Sequence, residues 1–183
     1  GIDITPSFIE IGNKFNNLTS MSKQVSLQIG NGETLDFEDE TFDGGYSQHV
    51  TMNIKNRKEF FLEAYRVLKK GTFFAFSEHG LGPEGNPIFP LPWADTEEMS
   101  FLLSPESTIA LLEEVGFYDI QIIETSEKYI SGYEKMINTK SKKENPILGI
   151  HVIGGATMKQ RSRNSMQCIK EKRTLPFEIV CKK

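Results

Sequence analysis

The sequence has no uninterrupted apolar run of the roughly 18 residues that would suggest a membrane-spanning helix. It has two cysteines, Cys168 and Cys181, whose spacing fits neither a metal-ligand nor a redox motif. Both read as ordinary thiols of a reducing compartment. No signal peptide is visible, so the expected location is cytoplasmic. Histidine is scarce, and no His/Cys/Asp/Glu set has ligand spacing; no metal site is expected. A Gly-x-Ser-x-Gly nucleophile elbow is absent, which argues against a hydrolase. There is no internal repeat and no low-complexity tract.

What is present fits one domain of 183 residues with an uneven charge. Residues 1–127 hold 8 Lys and Arg against 21 Asp and Glu, and residues 128–183 hold 13 against 4. A basic tail can signal nucleic acid, but no recognised nucleic-acid module accompanies it. The expectation is that the acidic and basic parts attract one another, within the chain or between copies.

Strand and helix patterns alternate. Ile2 and Ile4 straddle Asp3 at strand spacing, then Thr5-Pro6 suits a helix start, and Phe8, Ile11, Phe15 and Leu18 recur at helical spacing. Val25 to Ile29 alternates as a strand and ends at Gly30-Asn31-Gly32. An acidic stretch, Asp36 to Asp43, leads to a short strand at Gly44-Gly45-Tyr46-Ser47. Phe60, Phe61, Ala64, Val67 and Leu68 form one helix face, with Lys69-Lys70-Gly71 as its C-terminal signal. Phe73 to Phe76 reads as a buried strand. A proline-rich connection, residues 80–104, carries Phe89 and Trp93, and its length is unusual inside a compact domain. Ser104-Pro105-Glu106 opens a helix that closes at Gly116. Tyr118 to Ile123 is a strand, Tyr129 to Met136 a helix, and Lys140 to Glu144 a charged linker. A helix within 158–172 and a strand from Leu175 to Val180 complete an α/β layered fold with helices on both sheet faces.

An acid at a strand's carboxyl end, just before a helix, is where nucleotide-binding α/β folds grip ribose hydroxyls. Asp3 stands there. The glycine-rich loop of such folds lies roughly 20 residues upstream of that acid. These residues contain none, so the expectation is a single but partial domain, N-terminally truncated, over residues 1–183.

Four stretches in order carry a resemblance: Gly1-Ile2-Asp3-Ile4-Thr5; Gly30-Asn31-Gly32 with Leu35 and Phe37; Phe42-Asp43 leading to Ser47-Gln48-His49; and Tyr65-Arg66-Val67-Leu68-Lys69-Lys70-Gly71. Together they resemble class I S-adenosylmethionine-dependent methyltransferases, and within these the sarcosine/dimethylglycine and quinone-biosynthesis enzymes. The resemblance implies a three-layer Rossmann-like sheet, S-adenosylmethionine as cofactor and a small-molecule methyl acceptor, an amine or a quinone-like compound. It implies that Asp3 and Ile4 border the ribose, Asn31 and Gly32 the adenine, and Ser47 and Gln48 the methionine end. Asp3 could instead cap the helix that follows, and Asn31 could be a turn residue.

For the chemistry, an acceptor amine already neutral needs no base, whereas a hydroxyl or acidic carbon does. Candidates at strand ends are His49, Glu78 and His79. His49 and Trp93 are candidate acceptor contacts, Trp93 as one wall of a cation site. Alternatively Trp93, Phe89 and Phe101 close a small apolar cluster under the loop. His151, beside Gly154-Gly155, is a further candidate without a preferred role. Two other classes stay open: a nicotinamide-dependent oxidoreductase, and a non-enzymatic scaffold or inactive fragment. No membrane or nucleic-acid partner is expected. Sheet edges left without a neighbour favour a homo-oligomer.

Overall fold

A computed structural model describes residues 1–138 and 157–183. The elements are β1 (Ile2–Asp3), α1 (Pro6–Leu18), β2 (Gln28–Ile29), β3 (Gly45–Gln48), α2 (Arg57–Val67), β4 (Phe73–Leu81), α3 (Pro105–Val115), β5 (Tyr118–Glu124), α4 (Ser126–Asn138), α5 (Met158–Lys170) and β6 (Thr174–Lys182). β1 and β2 form a parallel pair, with Asp3 opposite Ile29. The other four strands are ordered β3-β4-β6-β5, where β3 and β4 run parallel and β6 is antiparallel to both its neighbours. Among the described residues β1 and β3 each have one strand neighbour.

The principal core lies on one face of the four-stranded sheet. Phe60, Phe61, Ala64 and Leu68 from the α2 segment meet Leu112 and Val115 of α3. Phe74, Phe76, Phe177 and Ile179 of β4 and β6 complete the cluster. α4 and α5 pack on each other and on β6. The α/β layering is therefore as expected.

α3 follows its sequence signals closely. The Ser104 hydroxyl accepts the Ser107 amide at 3.1 Å, Pro105 takes the first helical position, and Gly116 closes the helix at φ 114°, a conformation that favours glycine. Elsewhere the boundaries move. Val25 to Ile29 is a strand only at Gln28–Ile29, because Asn16 and Asn13 of α1 donate to the carbonyls of Val25 and Leu27. α2 stops at Val67, since the Phe42 amide takes the Val67 carbonyl and the Lys69 amide the Phe42 carbonyl, drawing the chain into an extended bridge. Lys69 then pairs with Asp43 at 2.7 Å instead of capping the helix. β4 runs on to Leu81 through nine consecutive pairings with β6, shortening the proline-rich connection. α4 begins three residues early, at Ser126.

The acidic stretch is held to α2 by Arg66, which donates to the carbonyls of Phe37 (2.7 Å) and Leu35 (3.0 Å) and pairs with Asp39 and Glu63. The two charge populations do attract within the chain: Arg161 pairs with Asp95, and Lys182 with Asp119 at 2.7 Å.

Candidate active site

Consecutive strand residues point to opposite faces, and Glu78 and His79 of β4 are separated in this way. Glu78 lies on the α2 face and is 0 % exposed. Its Oε2 accepts from the Thr51 hydroxyl and from Arg57 Nη1 at 2.8 Å. Arg57 Nη2 donates to the carbonyls of Thr51 (2.7 Å) and Phe101 (2.6 Å). Burial raises the Glu78 pKa and lowers that of Arg57, and each charge opposes the shift of the other. The candidate base Glu78 is thus a buried ion-pair partner, on the face away from His79.

His79 faces an aromatic group. Its ring stacks on Trp93 at 4.7 Å between centroids, meets Tyr129 edge-on at 4.9 Å and lies 5.8 Å from His49. The residue is 3 % exposed and its Nδ1 has no hydrogen-bond partner among the described residues. Desolvation first, and the neighbouring His49 second, push its pKa down to about 3, so it is a neutral imidazole near neutrality. His49 ends β3 with φ 51°, a left-handed conformation uncommon outside glycine, and its amide donates to Ser77. Its Nε2 lies 2.8 Å from the Tyr129 hydroxyl, with donor and acceptor set by the tautomer. Although part of His49 is exposed, desolvation of the ring lowers its pKa. Burial, then Tyr133 and Glu178, raise the Tyr129 pKa to about 12, so the phenol keeps its proton. Trp93 pairs with His79 and, among the ring contacts of the described residues, with neither Phe89 nor Phe101.

The expected cofactor-side residues stand at carboxyl ends of parallel strands. Asp3 Oδ1 accepts the Thr5 amide at 2.8 Å, so the capping reading of this carboxylate is realised on one oxygen; among the described residues Oδ2 has no donor. Asn31 Oδ1 accepts the Glu33 amide at 3.0 Å, a turn contact that leaves its Nδ2 donor unused. Gly32 is required by space, since a Cβ there would stand 2.7 Å from the Phe60 ring. Ile4 is exposed just after β1, while Ser47 and Gln48 end β3 opposite Phe76 and Ser77. A carboxylate oxygen and an amide donor without partners among the described residues, at the ends of two adjacent parallel strands, fit a ribose and an adenine ring.

Sequence reasoning missed Tyr129, which it named only as the start of a helix. It also missed Arg161 and Asn164, which hold the loop bearing Trp93. His151, Gly154, Gly155 and the linker from Lys140 to Glu144 lie outside the described residues. Among the described residues no group of metal-ligand side chains is gathered, and no helix is long and apolar enough to cross a membrane.

Comparison with known proteins bears on the family resemblance and the fold. Residues 1–76 match the family described as a methyltransferase domain. The chain is 36 % identical over 108 residues to the biotin biosynthesis bifunctional protein BioHC of Teredinibacter turnerae, covering 56 % of this chain and 18 % of that protein. It is 34 % identical over 74 residues to a demethylmenaquinone methyltransferase of Symbiobacterium thermophilum, covering 40 % of this chain and 30 % of that one. The chain thus spans less than a third of the length of these curated relatives. A Galdieria sulphuraria structure, described as a candidate sarcosine dimethylglycine methyltransferase, superposes on 99 % of this chain and 68 % of its own, with TM-score 0.81 and 16 % identity. Phosphoethanolamine N-methyltransferase 2 of Haemonchus contortus superposes on 100 % of this chain and 42 % of its own, with TM-score 0.78 and 16 % identity. The matched stretch lies where the sequence carries its resemblance, and the fold is shared with these solved methyltransferase structures.

Proposed function

We propose that this chain serves S-adenosylmethionine-dependent methyl transfer to a small-molecule acceptor. The observation that carries the reading is the Asp3 carboxylate at the end of β1, one oxygen of which has no partner among the described residues, in a stretch that matches a methyltransferase domain. Asp3 accepts from the ribose hydroxyls, with Ile4 beside it. The amide of Asn31 and the Gly32 backbone border the adenine, and Ser47 and Gln48 border the methionine end. When bound, the cofactor supplies an electrophilic methyl group on a sulfonium. His49, His79, Trp93 and Tyr129 form the acceptor wall. Trp93 and Tyr129 orient the acceptor and exclude water, and His79, kept neutral by burial, backs Trp93 in that wall; with so depressed a pKa it is a poor base, and an acceptor hydroxyl would need another group to take its proton. An amine acceptor that arrives neutral needs no such step.

The same reading assigns the described residues to one domain. Two unpaired cysteine thiols favour the cytoplasm. The open edges of β1 and β3 favour a homo-oligomer.

Calorimetric titration of S-adenosylmethionine into the full-length protein tests the assignment. Asp3→Ala removes a charge-assisted acceptor, and affinity is expected to fall roughly tenfold or more. A folded Asp3→Ala variant that binds as tightly as the wild type would refute the ribose role. No binding by the full-length wild type would return the protein to the non-enzymatic scaffold class.

A further inference from the structure

We infer that Arg161 and Asn164 of α5 are positioning residues that set where Trp93 stands against His79. Trp93 lies inside a tight turn whose ends, Leu91 and Ala94, exchange backbone hydrogen bonds and are both buried. Burying that turn strands its neighbouring carbonyls unless donors reach them. α5 supplies those donors from about 70 residues away in sequence. Arg161 Nη1 donates to the Leu91 carbonyl at 2.8 Å, and its Nη2 pairs with Asp95. Asn164 Nδ2 donates to the Pro90 carbonyl at 3.0 Å, while Gln160 donates to Asn164 Oδ1 at 2.7 Å and so fixes the amide's orientation. The turn is therefore gripped before and after Trp93. The indole has one further tether, Nε1 donating to Ser100 Oγ at 2.9 Å.

A connection of this length would ordinarily be mobile. The guanidinium fork reaches a carbonyl and a carboxylate at once, which a lysine ammonium on a flexible stem does not reproduce. Loss of the charge-assisted bonds favours release of the turn by roughly tenfold or more. That the stack borders a methyl acceptor rests on the function proposed above; the positioning itself does not.

Trp93 is the one tryptophan of this 183-residue chain, so in this chain its emission reports the turn without cofactor or acceptor. The experiment compares emission maximum and acrylamide quenching of this chain in wild type, Arg161→Ala, Arg161→Lys, Asn164→Ala and Asp95→Asn. Circular dichroism verifies the fold. Lys170→Ala is the control, since Lys170 lies on the same helix but pairs with Glu134. The expected result is a red shift and increased quenching in Arg161→Ala. A smaller change is expected in Arg161→Lys, Asn164→Ala and Asp95→Asn, and none in Lys170→Ala. Unchanged emission in a folded Arg161→Ala overturns the inference, as does an equal shift in the Lys170 control. Should Arg161→Ala not fold, unchanged emission in both Arg161→Lys and Asn164→Ala overturns it. Failure of the methyl-transfer reading would show separately, as absent heat on titration of S-adenosylmethionine into a wild type whose Trp93 signal is intact.

Discussion

The first thirty residues and the four-stranded sheet are built from similar side chains and use them in opposite ways. α1 carries Phe8, Ile11, Phe15 and Leu18 along one stripe, yet all four are exposed, Leu18 at 81 %, and Ile9 is its one buried residue. α2 and β4 carry a comparable density of phenylalanine, and Phe61, Phe74 and Phe76 are almost wholly buried. Periodicity therefore marks a face that is able to bury. Whether it does so depends on what opposes it, and among the described residues nothing opposes the α1 stripe. Stability resides in the sheet and its helices, while β1 and α1 bury little and, under the proposed function, contribute the edge that faces the cofactor.

Four substitutions sharpen or break this contrast. The largest effect belongs to Arg57→Ala, which leaves Glu78 buried without its counter-ion; unfolding free energy is expected to drop by about 3–5 kcal/mol. Denaturant melts check it, and a loss under about 1 kcal/mol would mean that the pair is not sealed from water. Phe177→Ala follows closely, with about 3–5 kcal/mol lost to transfer and cavity terms. A third effect depends on pH. The folded pKa of His79 is depressed to about 3 from 6.5, so the unfolded state binds the proton more readily. Its contribution is complete above the unfolded value and is lost as pH falls toward the folded one. Between these limits the wild type should lose about 1.4 kcal/mol per pH unit more than His79→Phe. Parallel melts at pH 7 and about pH 5 measure the difference, and equal slopes would place His79 in water. The smallest effect is at Phe15→Ala, expected within about 0.5 kcal/mol of wild type. A loss near that of Phe177→Ala would show that α1 is covered in solution.

Legibility in the sequence followed how local each signal was. α3 was readable end to end because Ser104, Pro105 and Gly116 act through their own backbone. The strand expected over Val25 to Ile29 was not, because its carbonyls are taken by Asn13 and Asn16, whose side chains looked like ordinary helix surface. In the site, Asp3, His49, His79 and Trp93 stood out by residue type and by their place at strand ends or in the long loop, and Asn31 only through the family resemblance. Glu78 stood out equally and proved to be paired, because its burial was decided by Arg57 on another element. Tyr129, Arg161 and Asn164 meet their partners only through tertiary packing, and a single sequence holds no register for that.

The antiparallel pairing of β4 with β6 also governs how the chain is made. Residue 73 pairs with 182 and residue 81 with 174, and β6 is the strand that separates β4 from β5. During synthesis β4 and β5 emerge from the ribosome well before the strand that joins them. Until then each presents an open, apolar edge to other nascent chains. Because such long-range pairings close slowly, the interval before β6 docks is the stage at which this protein most needs protection from aggregation.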